Sequence, residues 1–499
     1  MSLAIIHSRA QVGVEAPAVS VEIHLTNGLP SLTIVGLPET AVRESKDRVR
    51  SAILNSALEF PRKRITLNLA PADLPKDGGR FDLAIALGLL AASAQLPGGC
   101  LDRFECLGEL ALSGHVRPIR GVLPAALAAR AAGRALVVPL ANAEEASLAT
   151  GLTIYAIDHL LELVAHFNQQ TPLRPYQAQG VLEPAHHYPD LQEVQGQQAA
   201  KRALVVAAAG MHNLLLSGPP GTGKTLLASR LPGLLPPLTE QEALEVAAIQ
   251  SVVNLEPLKG WPQRPFRQPH HSSSAPALVG GGSKPKPGEI SLAHQGVLFL
   301  DELPEFDRHV LEVLREPLES GYIVIARAHS KLRFPARFQL VAAMNPCPCG
   351  YYGDANGLCR CSPDQIQRYR TKLSGPLLDR IDLHITVARE TTSLRRPSQS
   401  GLSSAEAMEQ VCNARQRQLQ RQGCSNAQLN LNTLMQHCLL SDEDRIWLEQ
   451  ASERLNLSLR ATHRVLKVAR TLADLEGQHS IHRAHLTEAL QYRFSHTQG

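Results

Sequence analysis

Runs of apolar residues with two different spacings divide the chain into regions of different predicted secondary structure. Short apolar runs typical of buried parallel strands occur at residues 213–217, 297–300 and 339–344. Nearer the N-terminus, alternation at 19–25 and 64–71 predicts half-buried strands, and the apolar stretch 81–94 predicts a helix. After residue 403 the apolar residues recur at helical spacing. The pattern predicts an α/β protein that ends in a helical domain.

Two polar segments interrupt this pattern. Residues 168–190 are rich in Pro, Gln and His, and residues 391–403 read TTSLRRPSQSGLS. Both have the composition of linkers and no stable apolar period. We therefore predict three domains, 1–167, 191–390 and 404–499, joined by these two linkers.

Composition narrows the class of protein. The chain has 499 residues, 44% of them hydrophobic, and a formal charge of +4, which is too small by itself to indicate a polyanion partner. It has neither a basic start followed by a sustained apolar run nor an uninterrupted run of about eighteen apolar residues. We expect a cytoplasmic protein without a membrane span. Scattered cysteines fit a reducing compartment better than a disulfide framework: Cys100, Cys106, Cys412, Cys424 and Cys438.

The run NLLLS is followed by GPPGTGKT and then by a helical pattern. This order is typical of a phosphate-binding loop, in which glycines let backbone N–H groups point at phosphate oxygens. Lys224 is placed to contact the β- and γ-phosphates of ATP, and the Thr225 hydroxyl to ligate Mg²⁺. The predicted loop comprises Gly218, Pro219, Pro220, Gly221, Thr222, Gly223, Lys224 and Thr225. The alternative is a glycine-rich turn without a ligand.

Polar residues also follow the two other central strands. Asp301 and Glu302 end the run at 297–300, where the acid would hold Mg²⁺ through water and Glu302 would polarise the attacking water. Asn345 ends the run at 339–344 and is placed to orient that water and contact the γ-phosphate. The alternatives are two solvated acids and a turn-favouring Asn before Pro346. Together with the loop, the acids predict ATP hydrolysis.

With these three motifs in order, the central domain resembles an AAA+ ATPase. Residues 264–306, RPFRQPHHSSSAPALVGGGSKPKPGEISLAHQGVLFLDELPEF, are similar to the magnesium-chelatase-like branch, and nearly the whole chain resembles the YifB/ComM family. The resemblance implies a nucleotide-dependent homo-hexamer that acts on single-stranded or branched DNA. It implies branch migration during natural transformation, with recombination proteins as possible partners and no membrane association.

The resemblance also assigns arginines. The segment SGPLLDRID at 374–382 is similar to the part of related ring ATPases that carries the trans-acting arginine finger, which nominates Arg380. The segment SLRATHR at 458–464 resembles the second sensor, with Arg460 preferred and Arg464 in reserve. A solvated or salt-bridged arginine is the alternative for Arg380, and one helix turn separates Arg460 from Arg464.

Two segments are candidates for DNA contact. Alternation around residues 328–330 predicts a β-hairpin, which the resemblance places at the pore of the ring. The expected phosphate contacts are Arg327, His329 and Lys331, with Lys284 and Lys286 of GGGSKPKPGE in a second pore loop. A solvated hairpin is the alternative. The tandem His270-His271 has no acid at a ligand spacing, and adjacent side chains diverge, so a structural or capping role is expected.

In the first domain, LPKDGGRFDLAIALG and the segment 107–133 resemble the proteolytic domain of Lon. That family needs a serine nucleophile and a lysine base, but Arg80 and Leu123 stand in these positions. We expect a ChlI-type, Lon-protease-like α+β domain that lacks the catalytic dyad and serves assembly or DNA contact. Basic residues that would line a polyanion surface, or a solvated face, are Arg43, Lys46, Arg48, Arg50, Arg62, Lys63 and Arg64.

Four cysteines frame a nine-residue loop directly after Asn345: Cys347, Cys349, Cys359 and Cys361. Four thiolates that a loop can bring together match a closed tetrahedral Zn²⁺ site, with reduced buried thiols as the alternative. Metal removal is expected to weaken assembly and trans-activated hydrolysis more than nucleotide binding.

Other functions compete with that of a DNA motor. One is the ATPase subunit of a metal chelatase, another an inactive-Lon-like ATPase that remodels proteins, and a third a scaffold without enzymatic activity. An ATP-dependent protease is opposed by Arg80 and Leu123.

Overall fold

The computed structural model describes residues 3–36, 40–178, 188–255, 261–282, 285–327, 330–353, 357–389 and 401–494. The chain divides into two compact units. The first comprises Met1–Ala185 and Ala243–Trp261, and the second comprises His186–Glu242 and Pro262–Gly499. The predicted ATPase core and helical C-terminal domain thus lie in one unit, whereas residues 243–261 group with the N-terminal unit.

The first unit is built on a seven-stranded mixed sheet in the order β3-β4-β2-β1-β5-β8-β9, with a small hairpin of β6 and β7. The alternation at 19–25 and 64–71 is confirmed, because β2 and β4 pair antiparallel and bury every second side chain. The strands are β1 (Leu3–Arg9), β2 (Ala18–Thr26), β3 (Ser31–Val35), β4 (Arg64–Ala70), β5 (Phe104–Cys106), β6 (Glu109–Leu110), β7 (Val116–Arg117), β8 (Ala135–Pro139) and β9 (Ile154–Ile157).

Six helices accompany this sheet: α1 (Thr40–Arg43), α2 (Ser45–Asn55), α3 (Asp82–Ala92), α4 (Val122–Ala131), α5 (Ala143–Ser147) and α6 (Leu160–Phe167). Helix α3 is apolar all round and almost wholly buried, which is typical of a helix covered on every side. Its Gly88 is needed for close packing, because a Cβ there would lie 2.7 Å from Cδ1 of Ile23 on β2. The predicted helix at 81–94 is thereby confirmed.

The segment 243–261 packs on the N-terminal end of α4. The Ser251 carbonyl accepts from the Gly121 N–H at 2.9 Å, and its hydroxyl accepts from the Leu123 N–H at 3.3 Å. Leu123 and Ala247 belong to one small apolar cluster with Trp261 at its edge. These contacts satisfy backbone donors that the first turn of a helix leaves unpaired, and explain why the segment groups with the first unit.

The second unit contains a five-stranded, all-parallel sheet in the order β11-β14-β17-β10-β18. Its strands confirm the three short apolar runs as buried parallel strands. Two antiparallel hairpins, β12–β13 and β15–β16, lie outside this sheet. The strands are β10 (Leu214–Ser217), β11 (Phe266–Arg267), β12 (Gly280–Gly281), β13 (Lys286–Pro287), β14 (Val297–Leu300), β15 (Tyr322–Arg327), β16 (Ser330–Pro335), β17 (Gln339–Met344) and β18 (Leu383–Thr386).

Short helices connect these strands: α7 (Gln198–Gly210), α8 (Lys224–Ala228), α9 (Glu240–Val253), α10 (Ala275–Val279), α11 (Glu289–Leu292), α12 (Arg308–Val313), α13 (Arg315–Ser320), α14 (Pro363–Arg370) and α15 (Gly375–Leu378). Short 3₁₀ helices occur at Leu140–Asn142, Leu191–Glu193, Leu231–Leu234, Leu303–Glu305 and Asn426–Gln428. Most of α9 belongs to the first unit.

The C-terminal region is helical as predicted, with α16 (Ser404–Gln422), α17 (Leu431–His437), α18 (Asp442–Arg454), α19 (Leu459–Leu475) and α20 (Arg483–Phe494). Ser403 and Glu406 form a capping box that starts α16. Helices α16 and α19 pack on α7 and share one apolar core with β10 and β18. Among the described helices, none is both long and apolar enough to cross a membrane.

Candidate functional site

The glycine-rich loop follows β10, which lies between β17 and the edge strand β18 of the parallel sheet. In such sheets ligands bind beyond the carboxyl ends of the strands. Gly221 and Gly223 adopt φ of +76° and +84°, and a Cβ on Gly218 would lie 2.3 Å from the Val387 carbonyl oxygen. These backbone positions require glycine, so the residue pattern that predicted a phosphate loop is also what the loop's geometry needs.

Lys224 lies folded into this loop. Its Nζ donates to the carbonyl oxygens of Gly218 at 2.7 Å and Pro219 at 2.9 Å, and to Oδ1 of Asn345 at 3.2 Å. Burial lowers the pKa of Lys224, while Asp301 and Glu302 act in the opposite direction. The structure therefore brings together the lysine and the strand-end amide, although 121 residues separate them.

The two predicted Mg²⁺ ligands are in direct contact. The Thr225 hydroxyl donates to Oδ2 of Asp301 at 2.8 Å, and the backbone N–H of Glu302 donates to Oδ1 of the same carboxylate at 2.9 Å. Mg²⁺ takes hydroxyl, carboxylate and water oxygens together with substrate phosphates, so this donor set fits the ion. Glu302 is exposed and has φ of +53°, an uncommon conformation for a residue with a side chain.

A histidine that sequence analysis set aside contacts the predicted base. Nδ1 of His271 lies 3.3 Å from Oε2 of Glu302, and the rings of His270 and His271 lie against each other with centroids 4.1 Å apart. The expectation that the two side chains diverge without an acid partner is therefore wrong. The partner arises because β11, which precedes the histidines, lies beside β14 in the sheet, an adjacency that motif spacing does not encode.

The arginines assigned by resemblance line one pocket of about 220 Å³, together with Glu319, Arg464 and Lys467. Arg380 is 7% exposed, donates to the Pro376 carbonyl at 2.7 Å and is paired with the Glu319 carboxylate. Within this chain it is thus the salt-bridged arginine of the alternative interpretation, and its role in trans stays a prediction. Arg460 is exposed.

Arg464 is engaged elsewhere, since its Nη1 lies 2.5 Å from Oδ1 of the buried Asp382. Burial alone would raise the pKa of Asp382, but the charge of Arg464 reverses the effect and the pKa lies well below its usual value. Asp382 was not singled out in the sequence, and its position in SGPLLDRID was the only indication. Because Arg464 is held by this ion pair, Arg460 stays the preferred second sensor.

The four cysteines come together after β17. Their sulfur atoms lie within 4.8 Å of one another, with Cys347 Sγ 3.3 Å from that of Cys349 and 3.8 Å from that of Cys359. Backbone N–H groups of Tyr351 and Arg360 lower the pKa of Cys349 to about 6. Four convergent sulfur ligands fit a closed tetrahedral Zn²⁺ site. We call residues 347–361 the cysteine knuckle.

The candidate DNA contacts are only partly described. The predicted hairpin is present as the antiparallel strands β15 and β16. Lys331 is exposed on β16, and the Arg333 guanidinium lies 3.5 Å over the Tyr322 ring. Lys286 is exposed on β13. Lys284 and His329 lie outside the described residues, as does the side chain of Arg327. Their contact with DNA stays a prediction.

In the N-terminal unit the structure places the two positions that resemble the Lon dyad close together. Arg80 is buried and donates from Nη2 to the Arg120 carbonyl at 3.0 Å, three residues before Leu123. Burial lowers its pKa to about 10. Neither side chain is a nucleophile or a base. Arg48 of the basic cluster is bound to Asp82 at 2.8 Å, so it is not available to a polyanion.

Comparison with known proteins agrees with this arrangement. The family model of the magnesium chelatase subunit ChlI matches residues 190–394, and models of the ChlI subunit and of its C-terminal region match residues 21–142 and 401–493. The magnesium-chelatase 38 kDa subunit of Rhodobacter capsulatus is 25% identical over 60% of this chain and 85% of its own length.

Other relatives are far more similar. Competence protein ComM of Haemophilus influenzae is 55% identical over 99% of this chain and 98% of its own length. YifB of Escherichia coli is 53% identical over 99% of this chain and 97% of its own length. With this similarity from end to end, and with the phosphate loop, acids and helical domain in place, the chain belongs to the YifB/ComM family of magnesium-chelatase-like AAA+ ATPases.

Proposed function

We propose that the protein is a hexameric ATP-driven motor that translocates on DNA and migrates branches of recombination intermediates during natural transformation. The observation that carries the proposal is the convergence of Lys224, Thr225, Asp301 and Asn345 at one edge of the parallel sheet. The similarity to a competence protein over the whole chain supports the biological setting.

The reaction uses residues already in contact. ATP phosphates replace the loop carbonyls as partners of Lys224, and Mg²⁺ would be held by Thr225 and Asp301. Glu302 takes a proton from the attacking water, with His271 holding the carboxylate in position, and Asn345 orients the water. Each group lies beyond the carboxyl end of a parallel strand, where the γ-phosphate of a loop-bound nucleotide would lie.

Assembly completes the site in this proposal. Arg380 exchanges Glu319 for the γ-phosphate of a neighbouring subunit, where its guanidinium stabilises the charge of the transition state. Arg460, exposed in the same pocket, acts as the second sensor. Turnover then depends on ring formation, since a single chain keeps Arg380 in its own ion pair.

DNA would run along the basic hairpins. Exposed Lys331 and Lys286 contact phosphates without reading sequence, and Lys284, Arg327 and His329 are candidates for further phosphate contacts. The N-terminal unit is a Lon-like platform without peptidase chemistry, supported by the proximity of Arg80 to the turn before Leu123. Recombination proteins would be its cytoplasmic partners.

The test measures ATP turnover without DNA, with single-stranded DNA and with a four-way junction. Unwinding of the junction is measured in the same samples. We expect turnover to rise with DNA and to fall back with salt, since phosphate contacts release counterions. The double variant Lys286→Ala, Lys331→Ala should lose the stimulation and keep basal turnover. Arg103→Ala, which removes an exposed basic side chain outside every candidate DNA surface, is the control. Turnover that is indifferent to every DNA at low salt would contradict the motor.

A second candidate function is the ATPase subunit of a metal chelatase, which the three matching ChlI models favour. It predicts DNA-independent turnover that responds instead to a porphyrin-binding partner. The same assay, run with and without DNA, separates the two functions.

A further inference from the structure

The cysteine knuckle touches the phosphate loop directly. Gly350, which lies inside the knuckle and whose N–H donates to the Cys347 carbonyl at 2.9 Å, packs against Pro220 of the loop. A Cβ on Gly350 would lie 2.6 Å from Cδ of Pro220, closer than real side chains approach. Two segments that are 130 residues apart in the chain therefore meet without space for a methyl group.

A second connection runs through the strand-end amide. Cys347 is buried and follows Asn345 by two residues, and Oδ1 of Asn345 accepts from Lys224 Nζ at 3.2 Å. The same hypothetical Cβ on Gly350 would lie 3.8 Å from Cγ of Asn345. The knuckle thus lies against both the ring of Pro220 in the loop and the residue that accepts from the loop's lysine.

The far side of the knuckle is also fixed in place. Ser362, directly after Cys361, caps α14, and Tyr369 of that helix interacts with the backbone N–H of Asn345. The Arg370 guanidinium lies 5.0 Å over the ring of Tyr352 in the knuckle. Because the knuckle is held on one side by α14, a change in its shape is transmitted to Pro220 rather than absorbed by a free end.

We propose that metal binding by the four cysteines and nucleotide binding by the phosphate loop stabilise each other through the contact of Gly350 with Pro220. This rests on the proposed nucleotide site. With Zn²⁺ bound, four thiolates are held in one tetrahedral arrangement and the turn at Gly350 keeps its shape. Without metal, the thiols have no common partner, and the surface that supports Pro220 relaxes. The expectation that metal loss weakens assembly and trans-activated hydrolysis more than nucleotide binding stays a prediction, and the coupling adds a defined effect on nucleotide binding itself.

Linkage makes the effect reciprocal: a factor by which Zn²⁺ tightens nucleotide binding is the factor by which nucleotide tightens Zn²⁺ binding. We expect a factor of about ten, within the range of about 5 to 150 typical of coupled sites. This factor can be measured separately in two binding equilibria, that of the nucleotide and that of Zn²⁺, without measuring turnover.

The first measurement is the affinity for the fluorescent nucleotide mant-ADP, in the full chain with Zn²⁺ and after its removal by a zinc-selective chelator, at constant Mg²⁺. The second is the release of Zn²⁺ to a chromophoric chelator in the presence and absence of ADP. We expect mant-ADP to bind about tenfold more weakly without Zn²⁺. We expect ADP to raise the affinity of the chain for Zn²⁺ by the same factor, so that more chelator is needed to remove the metal at equilibrium.

Three glycines of the knuckle provide matched variants. Gly350, Gly353 and Gly357 all have positive φ, at +85°, +80° and +62°, so alanine is strained in each. Only Gly350 would place its Cβ against Pro220, since Cβ positions at Gly353 and Gly357 meet nothing within 4 Å. Gly350→Ala should keep one Zn²⁺ per chain and lose about tenfold in mant-ADP affinity, whereas Gly353→Ala should keep both.

The outcomes are distinguishable. Equal mant-ADP affinity with and without Zn²⁺ overturns the coupling while leaving the proposed ATP site intact, and so does a Gly350→Ala variant that binds mant-ADP like Gly353→Ala. A native protein that contains no Zn²⁺ and takes up none also overturns it. Failure of the native protein to bind mant-ADP at all overturns the proposed nucleotide site itself. Because the ADP effect on metal release is measured on the native chain, poor folding of a variant does not decide the result.

Discussion

A buried ion-pair cluster of the N-terminal unit and the proposed nucleotide site of the second unit use charged residues in opposite ways. In the N-terminal unit, the fully buried Glu105 is paired with Arg9 at 2.6 Å and with Arg134 at 3.3 Å. At the proposed nucleotide site, Glu302 is exposed just beyond the fully buried strand β14, and Thr225 is exposed at the start of α8. Charges enclosed by apolar residues can only hold structure, whereas charges at an open sheet edge can exchange their partners for a ligand.

Arg80 is a second buried charge of the N-terminal unit. It stands where Lon-like chemistry would place a nucleophile, yet it is buried against carbonyl oxygens. The side chain at this position is therefore neither a nucleophile nor accessible to a substrate. Removing a charge from a buried ion pair and removing one from the open end of the parallel sheet should therefore have different effects on stability and turnover.

The largest effect is expected for Glu302→Gln. ATP turnover should fall by about 10²- to 10⁴-fold because the proton acceptor is lost, while mant-ADP affinity and the unfolding free energy stay unchanged. Steady-state turnover, fluorescence titration and chemical denaturation check the three quantities. Glu305→Gln, which removes only an exposed partner of Lys372, is the control and should keep turnover. Full activity in Glu302→Gln would remove Glu302 as the base.

Glu105→Gln should have the opposite profile. It leaves Arg9 buried without its carboxylate, which costs on the order of 3–5 kcal/mol of unfolding free energy, while turnover per folded chain is kept. Guanidinium denaturation of the full chain should show the N-terminal transition at a lower concentration. Glu109→Gln, whose partner Arg117 lies 3.6 Å away at the surface, should change stability by less than about 1 kcal/mol.

Asp382→Asn tests a buried pair beside the proposed site. The folded pKa of Asp382 is depressed, mainly by the charge of Arg464 acting against burial, so its carboxylate stabilises the fold above the unfolded pKa of about 4. This contribution is lost as pH falls through the folded pKa. We expect Asn to cost about 2–3 kcal/mol at pH 7.

The difference in unfolding free energy between the native chain and Asp382→Asn should stay constant from pH 7 to about 5 and shrink below about pH 4. Urea denaturation at several pH values measures it, with the exposed Asp442→Asn as the control. A difference that grows on acidification would contradict the ion pair as its origin.

The smallest effect is expected for Arg80→Met. Nε and Nη1 of Arg80 are buried without a hydrogen-bond partner among the described residues, so an apolar side chain of similar length should change the unfolding free energy by no more than about 1 kcal/mol, in either direction. Thermal and chemical denaturation measure the change. A loss as large as that of Glu105→Gln would mean that Arg80 holds the unit together.

Much of this architecture is readable from sequence because its physical causes are local. The apolar run 297–300 followed by Asp301 predicts a buried strand with a charged end, and the glycines of GPPGTGKT predict a loop with positive φ. The cysteine spacing likewise predicts that four sulfurs converge. In each case a few consecutive residues carry the cause.

The contacts between these elements are not readable in the same way. The pairs His271–Glu302, Arg380–Glu319 and Gly350–Pro220 join segments that are distant in the chain. They depend on which strands become neighbours in the sheet and on where the helices then pack. The insertion of residues 243–261 into the first unit is a further example, since its composition resembles that of any partly apolar helix.

The sequence by itself determined the elements, the phosphate loop, the acids at the strand end and the four-cysteine group, because each depends on residue type and short spacing. Only the tertiary structure decided which charges are enclosed and which are open, that Arg464 is paired with Asp382, and that the cysteine knuckle lies against the phosphate loop. Burial and long-range contact are properties of the packed chain, and a change in sheet order would alter them without changing a single motif.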